Sequence, residues 1–211
     1  MKKKSNRNIV ITGATGDIAQ SLIKLLTQDQ LFLLSRSLPR PNLPAHIDIL
    51  INNSGFGIFE ELTNLSESQI DEMFKINTTD LIKLTRVLHP DKIVNIASIS
   101  GKIPTAKSSV YAASKAAVIA FSDAIRMEGK EVLTVNTGPV FTKFHANNGD
   151  YLKKVGKHAI SSEFVAEKIV KNLDSKRREL NLPFSMALAA KARALSPKLF
   201  DKVSKKFFDY K

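Results

Sequence analysis

Asn8-Ile9-Val10-Ile11-Thr12-Gly13-Ala14-Thr15-Gly16-Asp17-Ile18-Ala19 is the stretch that decides the architecture. Its first five residues are a β-branched run that reads as a short strand. A glycine turn follows. Ile18–Leu26, with Leu22, Leu25 and Leu26 at helical spacing, then reads as an amphipathic helix. A turn of this kind lets a pyrophosphate approach the backbone and the helix N-terminus. Gly13, Gly16 and Ala19 supply small residues at a spacing of three. A tight βα turn without a ligand has the same pattern, so the turn alone leaves both readings open.

Outward from this unit, apolar runs alternate with helical segments. Leu31–Leu34, Ile47–Ile51, Lys92–Ala97, Val132–Asn136 and Glu179–Leu182 read as strands. Ser66–Leu88 reads as one long helix, opened by a Ser66/Gln69 capping box and stopped before Pro90. Ser109–Glu128 is a helix closed by Gly129, and Glu163–Leu173 is another. Nearly continuous apolar strands alternating with helices predict an α/β fold, a parallel sheet covered on both faces. The segment 37–46 has ten residues and contains Pro39, Pro41 and Pro44. It is too short for a helix and a further strand. Extended, it spans about 30 Å, enough for a bare crossover between strands.

The 211 residues fit one domain with a short appendage, divided here as 1–183 and 184–211. Without cysteine, disulfides, thiol catalysis, Fe–S clusters and cysteine-ligated zinc are excluded. The four histidines show no metal-ligand spacing, and no metal is expected. The basic N-terminus precedes an apolar run too short for a signal-peptide core, and no stretch is long enough to span a bilayer. These features predict a soluble, cytoplasmic protein.

Net charge is +12, and residues 143–211 carry 16 Lys/Arg against 7 Asp/Glu. A basic tail suits an anionic partner or simply a solvated surface. Nucleic-acid binding is not expected, because aromatic interleaving and a recognised module are lacking. Residues 184–195 and 197–209 read as two helices. The second places Leu199, Phe200, Val203, Phe207 and Phe208 opposite Lys198, Lys202, Lys205 and Lys206. Such a helix packs on the protein or lies on an anionic membrane; packing is the favoured reading.

Two further patterns carry chemistry. Ser35-Arg36 closes the second strand, where an acidic residue would hold the ribose hydroxyls of NAD; an arginine suits the 2′-phosphate of NADP. Tyr111 and Lys115 stand at i and i+4 on one helix face. The lysine charge is expected to lower the tyrosine pKa and make it a usable proton donor.

With these residues in order, the chain resembles the short-chain dehydrogenase/reductase family. The resemblance rests on the TGATGDIA turn, Asn52-Asn53-Ser54-Gly55, Asn77, Ser98, the YAASK pentapeptide at 111–115 and Thr137-Gly138-Pro139-Val140-Phe141-Thr142. It covers about Asn8 to Leu182 and implies a Rossmann-like doubly wound parallel sheet of about six strands. It also implies an NAD(P)H-dependent oxidoreductase that reduces a small-molecule carbonyl or oxidises the alcohol, with NADP(H) preferred. Tyr111 would exchange the proton. Lys115 would bind the nicotinamide ribose and tune Tyr111. Ser98 would hold the substrate oxygen, and Asn77 a water linking Lys115 to solvent. Gly13, Thr15, Gly16, Asp17 and Ile18 would cradle the phosphates, with Ser35 and Arg36 at the adenosine ribose. Asn53, Ser54 and Gly55 would line the adenosine side, Gly138 and Val140 the nicotinamide, and Thr142 the phosphates.

The chain departs from the family plan at Asp17 and Ala19, where the common turn has glycines, and at Thr137, where proline is usual. Segment 37–46 replaces a helix, a strand and an adenine-side turn. One edge strand is therefore expected to be missing, with Leu31–Ser35 as the new edge. The resemblance also implies a homodimer or homotetramer through the Asn77 and Tyr111 helices, the latter apolar nearly all round. Substrate determinants are expected in 141–160. A non-catalytic NADP-binding, redox-sensing regulator on the same fold is the alternative; the complete Asn77, Ser98, Tyr111 and Lys115 set speaks against it.

Overall fold

The computed structural model describes residues 6–142, 159–200 and 202. Its main sheet has six strands: β1 (Asn8–Thr12), β2 (Gln30–Leu34), β3 (Ile49–Asn52), β4 (Lys92–Ser98), β5 (Glu131–Thr137) and, last in sequence, β8 (Glu179–Leu182). Their order is β2-β1-β3-β4-β5-β8, and every neighbouring pair is parallel. A parallel sheet needs helices on both faces, because its strands bury both sets of side chains. Strand β4 shows this directly, with all seven positions buried. Two-residue strands β6 (Val140–Phe141) and β7 (Ile160–Ser161) pair separately.

Alternation sorts the core. Ile9 and Ile11 face the layer of α1 (Asp17–Leu25) and α5 (Ser162–Asn172), joining Leu22, Val165 and Ile169. Val10, between them, faces the other way with Leu50 and the partly buried Leu84 and Leu88. That opposite layer contains α2 (Glu67–Phe74), α3 (Asp80–Leu88) and α4 (Ser109–Met127). The final described helix is α6 (Phe184–Leu195), and 197–200 are helical beyond it. Among the described residues, no helix is long and apolar enough to cross a membrane.

The helix expected over Ser66–Leu88 has the right ends but not one course. Ser66 and Gln69 form the reciprocal capping box, and His89 closes α3 in the left-handed region at φ 43° ahead of Pro90. Between α2 and α3 lies a π-helical segment, Lys75–Thr79. Ile76, Thr78 and Thr79 are β-branched and hold an α-helix weakly. The widened turn carries Asn77 and Thr78 inward, both buried.

The crossover at 37–46 carries no helix and delivers the chain to β3 on the far side of β1, leaving β2 at the sheet edge. Leu43 packs where a crossover helix would lie, against the cluster of Val10, Ile47 and Leu50. The end of this segment is pinned at the amino edge of the sheet. Asn8 Nδ2 donates to the His46 carbonyl at 3.0 Å, and the Asn8 N–H to Asp48 Oδ2 at 2.7 Å. His46 Nε2 also lies 3.3 Å from Asp91 Oδ2, an ion pair when the ring is protonated.

Candidate active site

In an open α/β sheet the ligand crevice lies beyond the strand carboxyl ends, where strand order reverses. Here β1 sends one connection to β2 and its neighbour β3 on to β4, and a cleft of about 440 Å³ opens at that place. All fifteen residues expected at the cofactor line it. Gly13, Thr15, Gly16, Asp17 and Ile18 come from the β1–α1 turn. Ser35 and Arg36 follow β2, and Asn53, Ser54 and Gly55 follow β3. Tyr111 and Lys115 project from α4, and Gly138, Val140 and Thr142 follow β5.

The floor of the turn is built by Thr12. Its Oγ1 accepts the N–H groups of Asn53 and Ser54, each at 3.0 Å. Asn53 Nδ2 returns to the carbonyls of Thr12 and Gly13 at 3.2 and 3.1 Å. Gly13 holds φ +61°, and a Cβ there would sit 2.9 Å from Ser54 Cα. Both facts require glycine. Gly16 is the N-cap of α1 and brings no side-chain cap, so the first N–H groups of that helix face the cleft uncapped by a side chain. Uncapped helix N–H groups beside a glycine cradle suit a pyrophosphate, and the residues present therefore fit a dinucleotide.

Arg36 is 87% exposed at the rim, with its guanidinium 3.5 Å from Glu72. Thr15 and Ser35 lie beside it, their hydroxyl oxygens 3.4 Å apart. This corner has one cation, Arg36, and the hydroxyls of Thr15 and Ser35 to offer an additional phosphate.

At the other end, Ser98 closes β4 and hydrogen-bonds the Tyr111 side chain. Tyr111 is 7% exposed and tilts against Phe59, ring centroids 5.3 Å apart. Lys115 is 4% exposed and donates to the Ile96 carbonyl at 3.0 Å. Burial pushes Lys115 down to about 8, because a buried ammonium loses its hydration. Burial likewise pushes Tyr111 up to about 12, with the Ser98 hydrogen bond acting in the opposite direction. The expected lowering of the Tyr111 pKa by Lys115 is thus reversed in this structure: desolvation of the phenolate dominates.

Asn77 does not line the cleft; it stands behind it, fully buried. Its Oδ1 accepts the Phe56 N–H at 2.9 Å, and its Nδ2 donates to the Phe56 carbonyl and to Ser114 Oγ at 2.9 and 3.0 Å. A Cβ on Gly55 would lie 3.1 Å from Lys115 Nζ and 3.2 Å from Asn77 Oδ1, so these two groups meet across a glycine. Asn77 is tied to the cleft through the loop after β3.

Sequence reasoning missed Phe56, Phe59, Ile76 and Asp80, all of which line the cleft. Ile76 and Asp80 bracket Asn77 on the helical segment and could have been inferred from that spacing. Phe56 and Phe59 follow Gly55 in a stretch without periodicity, and nothing local marks them. Most of the expected substrate segment, together with the Lys205–Phe208 part of the terminal helix, lies outside the described residues.

Residues 40–152, more than half of the chain, match the family model described as short chain dehydrogenase. The chain belongs to the short-chain dehydrogenase family. Among the relatives of this short-chain dehydrogenase, ketoacyl reductase HetN of Nostoc sp. is 44% identical over 89 residues, covering 39% of this chain and 31% of that protein. The uncharacterized oxidoreductase YbbO of Escherichia coli is 30% identical over 176 residues, covering 73% and 65%. The chain therefore spans less than two thirds of the length of these relatives. Of the solved structures, a short chain dehydrogenase from Burkholderia cenocepacia in complex with NADP superposes with TM-score 0.79 at 16% identity, covering 97% of this chain and 98% of that one. One from Burkholderia phymatum in complex with NAD gives the same TM-score and identity over 94% and 96%. These likenesses show a shared Rossmann-like fold.

Proposed function

We propose that this short-chain dehydrogenase reduces a carbonyl group, or oxidises the corresponding alcohol, using NADP(H) in preference to NAD(H). The observation that carries the reading is the Ser98–Tyr111 hydrogen bond, buried in the same cleft as the glycine turn and Lys115. A bound nicotinamide dinucleotide supplies or accepts the hydride. Gly13, Thr15, Gly16, Asp17 and Ile18 would hold its phosphates, Arg36 and Ser35 its 2′-phosphate, and Asn53, Ser54 and Gly55 its adenosine side. Gly138 and Val140 would line the nicotinamide end, and Thr142 would contact the phosphates.

The chain's own residues manage the proton. Tyr111, with its pKa held up to about 12, keeps its hydrogen at neutral pH and can donate it to a carbonyl oxygen. Ser98 would position that oxygen. Lys115 is still mostly protonated at pH 7 with a pKa of about 8. Its charge would stabilise the tyrosinate as it forms. Asn77 is a positioning residue that fixes the Gly55–Phe56 loop beside Lys115.

Tyr111→Phe should lower NADPH-dependent turnover by roughly a thousandfold while leaving NADPH affinity within about threefold. The measurements are NADPH oxidation across aldehydes, ketones and quinones and a fluorescence titration of the cofactor. Turnover retained in the variant would sink the assignment. Assembly belongs to the same reading. Ala113, Ala120 and Ala124 point outward from α4, a small-residue face suited to a second copy, and light scattering should give at least a dimer.

A further inference from the structure

We propose that His46, Asp48 and Asp91 form a binding site for a divalent first-row transition metal ion, with Zn²⁺ its best fit, at the amino edge of the main sheet. The site lies at the opposite ends of the strands from the cleft, and the inference does not depend on the oxidoreductase reading.

Three stretches of chain meet here. His46 ends the bare crossover, Asp48 directly precedes β3, and Asp91 directly precedes β4. In the parallel register Ile49 stands opposite Lys92, so Asp48 and Asp91 are neighbours one step outside the ladder. His46 is two residues before Asp48, the spacing that returns an extended chain to the same side. One donor atom from each residue lies within 4.8 Å of the other two. His46 Nε2 is 3.3 Å from Asp91 Oδ2 and 3.7 Å from Asp48 Oδ1. Zinc holds nitrogen and oxygen at about 2.0–2.2 Å, which puts tetrahedral donors about 3.3 Å apart. The imidazole nitrogen therefore stands close to one coordination edge from each carboxylate.

The donors sit on fixed backbone. The Asp91 N–H donates to the Ile47 carbonyl at 3.1 Å, the Lys92 N–H to the Asp48 carbonyl at 3.0 Å, and Asn8 Nδ2 to the His46 carbonyl at 3.0 Å. The Asn8 N–H takes Asp48 Oδ2 at 2.7 Å and leaves Oδ1 on the His46 side. A hydrogen bond to the second oxygen is how a metal-ligating carboxylate is commonly oriented. The side chains of His46 and Asp91 are 62% and 65% exposed, so an ion can enter and water can complete its shell. Carboxylates alone suit Mg²⁺ or Ca²⁺; an imidazole shared between two of them selects a transition ion. Histidine spacing does not reveal this site, because Asp91 joins it only through the β3–β4 pairing. An ion held here would tie the end of the crossover to the starts of β3 and β4.

The test uses the full chain, freed of metal with a chelator, and Zn²⁺ alone as the probe. Calorimetric titration should show one Zn²⁺ per chain with a Kd of about 10 μM or tighter. His46→Gln and Asp91→Asn, both at exposed positions and checked for unchanged circular dichroism, should each weaken binding at least about tenfold. At a hundredfold excess over Kd, Zn²⁺ should raise the thermal midpoint of the parent by about 5 °C or more, and that of neither variant. Millimolar Mg²⁺ should not compete. Substoichiometric Mn²⁺ should broaden the amide resonances of His46, Asp48 and Asp91 before any others. No binding of Zn²⁺ overturns the proposal, the cluster then being an ion pair only. Binding retained in both variants overturns it too, since another histidine such as His89 would hold the ion. So does Mg²⁺ binding as tightly as Zn²⁺ and indifferent to His46→Gln, which would reduce the cluster to two surface carboxylates attracting a counter-ion.

Discussion

Replacing Lys115 by methionine should make the protein more stable at neutral pH, and the gain should vanish in alkali. The ammonium is 4% exposed and makes one hydrogen bond, to the Ile96 carbonyl at 3.0 Å. Its pKa falls from 10.5 to about 8 on folding because burial strips its hydration. Between those values the unfolded chain binds more protons than the folded one, so stability rises with pH across that window. Two and a half units correspond to about 3 kcal/mol of folding free energy withheld by the charged lysine below pH 8. Methionine fills a similar volume and removes that penalty, and loses one hydrogen bond, about 1 kcal/mol. The variant should therefore be about 2 kcal/mol more stable at pH 7 and no more stable than the parent by about pH 10. Tyr111, raised to about 12, acts on stability only above its unfolded pKa of 10, outside this comparison. Urea unfolding followed by circular dichroism at half-unit steps from pH 7 to 10 reads both quantities. A difference between parent and variant that stays constant over this range would refute the burial argument.

Three other substitutions probe other parts of the molecule. Arg36→Glu removes the cation at the rim beside Thr15 and Ser35 and adds repulsion; the NADPH/NADH ratio of kcat/KM should fall by at least about tenfold, and an unchanged ratio would refute the role. Gly101→Ala would put a Cβ 2.8 Å from the Ala116 amide nitrogen and 2.9 Å from the Lys115 carbonyl carbon, pressing the turn after β4 off α4. A loss of about 1–3 kcal/mol in urea unfolding is expected, and a neutral result would contradict this packing. Ser66→Ala breaks the capping box that starts α2, and thermal unfolding should report about 1 kcal/mol lost.

Strands and site differ in how plainly the sequence shows them. Asn8–Thr12 and Glu179–Leu182 appear in the structure with the expected bounds, the first as a near-continuous apolar run and the second as an alternation that buries Leu180 and Leu182. Strand β3 starts two residues later than its apolar run. Ile47 is buried, but its carbonyl bonds to the Asp91 N–H and the ladder to β1 begins beyond it. Gln30 joins β2 at the other extreme, paired with Asn8 despite an exposed polar side chain. The π segment and the two-residue pair β6–β7 are invisible to periodicity, which needs more turns or more alternations than they contain. The cleft-lining residues were legible because glycine turns and strand-end polar residues follow a fixed order. The reversed Tyr111 shift was not, because burial is a property of the packed chain and not of the i, i+4 spacing.

The bare crossover has a consequence for local stability. Leu43 of the crossover shares the cover of this sheet face with Leu84 and Leu88 of α3, and β2 has a partner on one side only. Few contacts hold such a unit, so its amides should exchange with solvent at a lower opening free energy than those of β4, which is buried along its whole length. Arg36 sits between that strand and the crossover. A ligand held at this corner would tighten the least protected unit of the sheet, and part of its binding energy would appear as slowed hydrogen exchange in β2.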